Sequence, residues 1–217
     1  MTTKVKKPRK TREKPPRKFA VCDSETDPFV FGRVPQPFIW GFYDGETYEQ
    51  FTDTTKFVEY IQDKDMILYA HNGGKFDWHF LLDYLTPGQE IMFINGRIAQ
   101  AKIGECELRD SFNILPMPLA AYQKDEISYA IFEAGEREKP ENWKKITDYL
   151  YTDCLYLYQL VSAFIDRHGL RLTQAGAAMK RFENVYGIKA PESSAEFFDE
   201  MRPYYYGGRV QCFEKGV

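Results

Sequence analysis

Four carboxylates and one phenol in this chain have types and spacings that suit metal-assisted chemistry: Asp23 and Glu25, Asp77, and Tyr149 with Asp153. Asp23-Ser24-Glu25 ends a short apolar run, Phe19-Ala-Val-Cys22, that reads as a strand. Side chains two apart on a strand face the same way, so Asp23 and Glu25 both point into one site. Asp77 closes Asn72-Gly-Gly-Lys-Phe-Asp77, where an apolar strand gives way to a helix, and so stands at the helix start. Tyr149 and Asp153 lie four apart in a long helical segment and share a face. Four acidic groups around one pocket suit Mg²⁺ or Mn²⁺, which prefer oxygen ligands. Two such ions about 3.5–4 Å apart activate a water and stabilise a departing 3′-oxygen in an in-line displacement. Tyr149 is expected to orient that water rather than act as a free base, since an ordinary tyrosine has a pKa near ~10. Each element by itself also has a bland reading: a solvated strand end, a plain loop with a helix cap, two residues on one helical turn. Their order and their placement on strand end, helix start and late helix point to the functional reading.

The elements that must carry these residues follow from periodicity and turn signals. Strands are expected at Pro37–Tyr43 and Thr47–Phe51, joined by an Asp44-Gly45 hairpin, at Met66–Ala70, and near 91–94, 97–103 and 106–110, with a second hairpin signal at Asn95-Gly96. Helical spacing covers Thr55–Gln62, Phe76–Leu85, Trp143–His168, 172–186 and 192–201, and Pro116 is expected to open a short helix. Glu126–Asn142 is charged and irregular. Strands come first and helices later, with alternation between them, so an α/β or α+β sheet domain followed by helical elements is expected.

Composition sets the class. With 43% hydrophobic and 28% charged residues the 217-residue chain has an ordinary globular balance. No apolar run approaches the roughly 20 residues of a membrane span. No apolar stretch follows the basic N-terminus, so a secretory signal is not expected. Cys22, Cys106, Cys154 and Cys212 are scattered, which argues against a disulfide framework and a zinc site and suits a reducing compartment. Residues 1–18 hold nine Lys/Arg and one Glu, a charge of +8, whereas the whole chain carries −3. This proline-containing tail is expected to be disordered. It reads either as a nucleic-acid-binding arm acting on phosphates or as a solubilising or targeting tail.

The sequence resembles the exonuclease domain of family B DNA polymerases, of the protein-primed branch found in phages, adenoviruses and linear plasmids. The first exonuclease motif matches at Asp23-Ser24-Glu25, the second at Asn72–Asp77 and the third at Tyr149–Asp153. Position 148 is Asp148, which excludes the subclass with a water-positioning His. Phe80 matches an aromatic that helps hold the primer end. Asp110-Ser111-Phe112-Asn113-Ile114-Leu115-Pro116 looks like a single-stranded-DNA motif, with Phe112 where Leu is usual. Lys124-Asp-Glu-Ile127 is similar to a Lys-x-x-hydrophobic motif whose lysine contacts the scissile phosphate. Tyr205-Tyr206-Gly207-Gly208-Arg209 looks like the Tyr-x-Gly-Gly segment that binds template DNA between exonuclease and polymerase domains.

The resemblance implies a ribonuclease H-like mixed sheet flanked by helices. After the basic tail at 1–18, it implies an exonuclease domain at 19–168 and a helical connection at 169–217 leading into a palm whose metal-binding segments do not appear before Val217. It implies proofreading 3′→5′ exonuclease activity in a DNA-directed DNA polymerase, with two Mg²⁺ or Mn²⁺ ions held by Asp23, Glu25, Asp77 and Asp153. Lys124 is expected to assist catalysis. Asn72, Phe80, Ser111, Phe112, Tyr205, Gly207, Gly208 and Arg209 are expected to contact DNA. The implied partners are a single-stranded 3′ end, primer-template DNA and a terminal priming protein, with no membrane. The implied location is the cytoplasm of a phage host or a viral or plasmid replication compartment. The alternative is a free-standing 3′→5′ DNA or RNA exonuclease of the same fold, which the Tyr-x-Gly-Gly segment disfavours.

Overall fold

The computed structural model describes residues 17–119, 127–189 and 194–204. The chain divides into two compact units, Met1–Ala177 and Ala178–Val217.

The first unit is built on a seven-stranded sheet: β1 (Lys18–Thr26), β2 (Pro37–Tyr43), β3 (Tyr48–Phe51), β4 (Met66–Ala70), β5 (Met92–Ile94), β6 (Arg97–Ile103) and β7 (Cys106–Asp110). The spatial order is β3-β2-β1-β4-β7-β6-β5. The neighbours β1–β4 and β4–β7 are parallel and the other four pairs antiparallel. Parallel strands need a crossover. Helix α1 (Thr54–Ile61) lies between β3 and β4, and a 3₁₀ helix, Asp77–Tyr84, between β4 and β5. The short α2 (Ala134–Arg137) and the long α3 (Pro140–His168) follow the sheet.

Each sheet face has its own core. Ala20, Cys22, Trp40, Leu68 and Leu108 project to one side, where they meet Phe57 and Ile61 of α1 and Trp78 and Leu81 of the 3₁₀ helix. Trp40 stacks on Phe57 at 4.6 Å and 7°, and its indole N–H donates to Thr54. Val21, Ile39, Ile67 and Tyr69 project to the other side, against Ile146, Leu150, Cys154, Leu157 and Val161 of α3. Those helical positions recur at three- and four-residue steps, the stripe an amphipathic helix buries. Pro140 sits in its first turn, where a missing N–H is tolerated, and Gly169 follows its end.

Two expected helices differ in detail. The element after Asn72 is a 3₁₀ rather than an α-helix. Its core-facing residues Trp78, Leu81 and Tyr84 are spaced by three, the period at which 3₁₀ side chains align. Residues 116–118 are not helical, although Leu119 is; a separate helical turn stands earlier, at Ser111–Asn113, where the Asp110 carboxylate accepts from the Phe112 N–H and caps it.

The second unit comprises the rest of α4 (Gln174–Tyr186), α5 (Ala195–Met201) and the turn Arg202–Tyr204. Ser194 caps α5 by accepting from the Phe197 N–H. Among the described residues no helix is long and apolar enough to cross a membrane. Lys124, Tyr205, Gly207, Gly208, Arg209 and residues 1–16 of the basic tail lie outside the described residues.

Candidate active site

The C-terminal half of β1 sets the first two carboxylates. Asp23 and Glu25 alternate with Ser24, so they share the sheet face covered by α3, while Ser24 points to the other. On α3, Tyr149 and Asp153 stand one turn apart on the buried stripe. As a result one ligand oxygen each from Asp23, Glu25 and Asp153 falls within 4.8 Å of the others. Asp77 opens the 3₁₀ helix and accepts a 2.6 Å hydrogen bond from the Ser24 hydroxyl. It lines the same cleft but is not one of the three that close to 4.8 Å.

That cleft holds about 690 Å³ and is walled by Asp23, Glu25, Asp77, Tyr149 and Asp153 together with His71, Asn72, Lys75, Phe76 and Phe29. Burial, then the charges of Asp23 and Asp153, push the Cys154 thiol well above its ordinary range. It is therefore neutral packing beneath the carboxylates, since thiols bind metal as thiolates.

Burial also pushes the Asp77 carboxyl up to about 6; the Ser24 hydrogen bond opposes the shift and the charge of Asp110 adds to it. Clustered anions of this kind favour a compensating cation. The donor set is all carboxylate oxygen, the set hard divalent cations such as Mg²⁺ and Mn²⁺ take.

The loop before Asp77 is held from behind. Asn72 has φ 60°, a left-handed conformation that asparagine tolerates. Its side-chain oxygen accepts from Arg97, whose guanidinium also pairs with Asp110 at 3.0 Å. The same guanidinium lies 4.1 Å from the Phe112 ring centre. At Gly74 a Cβ would meet the Ile98 carbonyl oxygen at 2.1 Å, so only glycine lets the loop pass over β6. Ser111 is fully buried, its hydroxyl donating to the Ala70 carbonyl and 3.1 Å from His71 Nδ1. With its one proton used on Ala70, Ser111 accepts from His71.

The structure thus brings Asp23, Glu25, Asp77, Tyr149, Asp153 and Asn72 to one cleft. Phe80 stands beside it, 5.1 Å from Phe76 ring to ring. Ser111 and Phe112 brace it from the rear through His71 and Arg97. Sequence reasoning passed over Ser24, Phe29, His71, Lys75, Phe76 and Arg97. Ser24 and Phe76 sit inside the two motifs, so their positions carried a signal; Phe29 and Arg97 had none.

A seven-stranded mixed sheet flanked by helices, with carboxylates on its first strand, at a helix start and late in a covering helix, defines a mixed α/β domain with an acidic cleft. Residues 116–217 match the family described as DNA polymerase type B, organellar and viral. Over 97% of its length the chain is 42% identical to a DNA-directed DNA polymerase of Enterobacteria phage PRD1, of which it spans 38%. The fold is that of part of Phi29 DNA polymerase. A ternary complex of that enzyme with primer-template DNA and incoming nucleotides superposes with a TM-score of 0.70 at 19% identity, over 89% of this chain and 40% of the other. A complex of the same enzyme with single-stranded DNA superposes with a TM-score of 0.67 at 20% identity, over the same shares of the two chains. The chain is thus similar to type B DNA polymerases of the viral kind and spans about two fifths of the length of those it matches.

Proposed function

We propose that this chain carries the proofreading 3′→5′ exonuclease of a protein-primed type B DNA polymerase. The observation that carries the reading is the convergence of Asp23, Glu25 and Asp153 to within 4.8 Å, with Asp77 and Tyr149 lining the same cleft. Kinship with a DNA-directed DNA polymerase along 97% of the chain weighs against a free-standing nuclease. That solved relatives are bound to primer-template and single-stranded DNA supports the same two forms of DNA as partners here. A terminal priming protein would then be met through the polymerase.

Asp23, Glu25, Asp153 and Asp77 would hold two Mg²⁺ or Mn²⁺ ions. Such ions, when bound, ease ionisation of a water and stabilise charge on the departing oxygen. The chain's own residues do the rest. Asn72, fixed by Arg97, and the aromatic wall of the cleft hold the strand so that its terminal phosphodiester faces the carboxylates. The Tyr149 hydroxyl orients the attacking water by hydrogen bonding. Attack forms a new P–O bond and breaks the bond to the 3′-oxygen. A nucleoside monophosphate leaves, and the shortened strand keeps a 3′-hydroxyl protonated from solvent.

The test is digestion of a 5′-labelled single-stranded oligonucleotide with Mg²⁺ or Mn²⁺. Stepwise shortening from the 3′ end with release of nucleoside monophosphates is expected, and none in excess EDTA. Asp23→Ala with Glu25→Ala removes several kcal/mol of metal-derived stabilisation, a loss of roughly a thousandfold or more at about 1.4 kcal/mol per tenfold. Undiminished hydrolysis by the double variant refutes the reading.

A further inference from the structure

The loop joining β1 to β2, residues 27–36, exposes an apolar tip beside the carboxylates. Its base is firmly held. The Asp27 N–H donates to the Gln36 carbonyl, and the Arg33 N–H to the Val30 carbonyl. The Asp27 carboxylate takes a 2.6 Å hydrogen bond from Arg137 and pairs with Arg33 at 3.8 Å. Arg137 in turn donates to the Phe132 carbonyl and lies 4.4 Å from the Phe38 ring centre. The loop is tied both to the sheet and to the segment leading into α3.

What this braced loop presents is aromatic surface. Phe29 is 77% exposed, yet it lines the cleft that holds Asp23, Glu25, Asp77 and Asp153. Its ring stands 5.8 Å from Phe76, which stands 5.1 Å from Phe80. The three phenyl rings make one row along the edge of the cleft. Lys75, an exposed cation, lines the same wall. A large apolar ring left in water on a loop fixed by ion pairs gains nothing for the core, and its place on the cleft wall puts it within reach of whatever occupies the cleft.

We propose that Phe29 is a stacking platform for a base of the single-stranded 3′ end, extending the row begun by Phe76 and Phe80. The inference rests on the nuclease reading above. A strand whose phosphodiester faces the carboxylates lays its adjoining bases on the cleft wall, where Phe29 is the most exposed of the aromatic rings, ahead of Tyr129, and adjoins Phe76. An aromatic face receives any base, because every base has a π-face, so Phe29 adds affinity for an unpaired end without sequence preference.

The test uses an oligonucleotide carrying 2-aminopurine in its last two nucleotides, bound to the chain in Ca²⁺ to suppress hydrolysis. Stacking quenches the probe on binding to the wild type. Phe29→Ala should lose part of that quenching and bind about 5- to 160-fold more weakly, the range of one base–aromatic stack. Phe29→Trp should restore both, and Phe29→Leu, apolar but not planar, should not. A strand with abasic 3′-terminal nucleotides should bind wild type and Phe29→Ala equally. Equal binding of the 2-aminopurine strand by wild type and Phe29→Ala, or full rescue by Phe29→Leu, overturns the proposal. So does a Phe29→Ala defect that persists on the abasic strand. Failure of the nuclease reading looks different: wild-type chain in Mg²⁺ or Mn²⁺ then releases no nucleotide from the 3′ end at all.

Discussion

Gly41 lies directly opposite Asp23 in the β1–β2 ladder, on the face where α3 crosses. A Cβ at Gly41 would stand 3.0 Å from both Cys154 Sγ and Leu150 Cγ. The absent side chain lets α3 approach the sheet at the turn that carries Asp153 and Tyr149. Gly41→Ala should push α3 outward by a few tenths of an ångström and destabilise the fold by about 1–3 kcal/mol, the usual effect of overpacking. Because Asp153 rides on the displaced turn, affinity for Mn²⁺ should also fall. Urea denaturation and calorimetric titration with Mn²⁺ check the two effects separately. An unchanged Mn²⁺ affinity would show that the close approach serves packing alone.

Two carboxyls give the metal-free protein opposite pH trends. Burial raises Asp77 to about 6, so its folded form favours the proton. The stability that proton confers is complete below the unfolded value of 3.8 and is lost as pH rises through about 6. Glu107 behaves in reverse. Burial would raise it, but Arg109 and Arg17 outweigh burial and hold it below 4.5. Its contribution is present above 4.5 and is lost as pH falls through the lowered folded value. In EDTA the urea midpoint should therefore decline between about pH 4 and 6, and Asp77→Asn should abolish that decline. Excess Mg²⁺ or Mn²⁺ should flatten it in the wild type, since the cation favours ionised Asp77. A decline of the same size in Asp77→Asn would assign it to other groups.

How much of this was legible in the sequence depends on whether the relation is local. Asp23 and Glu25 share a face by the two-residue period of a strand, and Tyr149 and Asp153 by the four-residue step of a helix, so both pairs could be read directly. Asp77 was readable as a helix start but not as a partner of Ser24 on the opposite face of β1, because that approach depends on how the loop after β4 folds. The 3₁₀ character of its helix rests on three core residues, Trp78, Leu81 and Tyr84, too few to separate period 3.0 from 3.6. The turn at Ser111–Asn113 was not read because its Asp110 cap bonds within two residues and leaves no periodicity. Arg97 meets Asn72 and Asp110 only once β6 and β7 have paired, and Phe29 meets Phe76 only through a loop path that no periodicity encodes.

Arg97 supports a further prediction. It is 8% exposed and pairs with Asp110, which is 1% exposed. Removing one partner of a buried ion pair costs about 3–5 kcal/mol, because the other charge is left uncompensated. Arg97→Met should destabilise the chain by that order and release Asn72. Adding Asp110→Asn should recover much of the stability but not the grip on Asn72. Single-strand affinity should then stay low in the double variant while the urea midpoint rises. Parallel recovery of both would mean that Arg97 acts only through global stability.

Tyr149 allows the chemistry to be separated from the metal site. Its ring is 7% exposed and lies on the buried stripe of α3, one turn before Asp153. Tyr149→Phe keeps the ring's packing and removes only the hydroxyl. If that hydroxyl orients the attacking water, the variant should hold Mn²⁺ and single-stranded DNA as the wild type does. Its single-turnover rate should drop by about a hundredfold, the scale on which misplacing a reactant slows a step. Asp153→Asn, one turn on, should instead weaken Mn²⁺ binding and slow the rate together. Rapid-quench measurement of the single-turnover rate at saturating Mn²⁺, beside a Mn²⁺ titration, distinguishes the two patterns. A Tyr149→Phe variant that loses Mn²⁺ affinity in step with its rate would place the hydroxyl in support of the metal ligands rather than of the water.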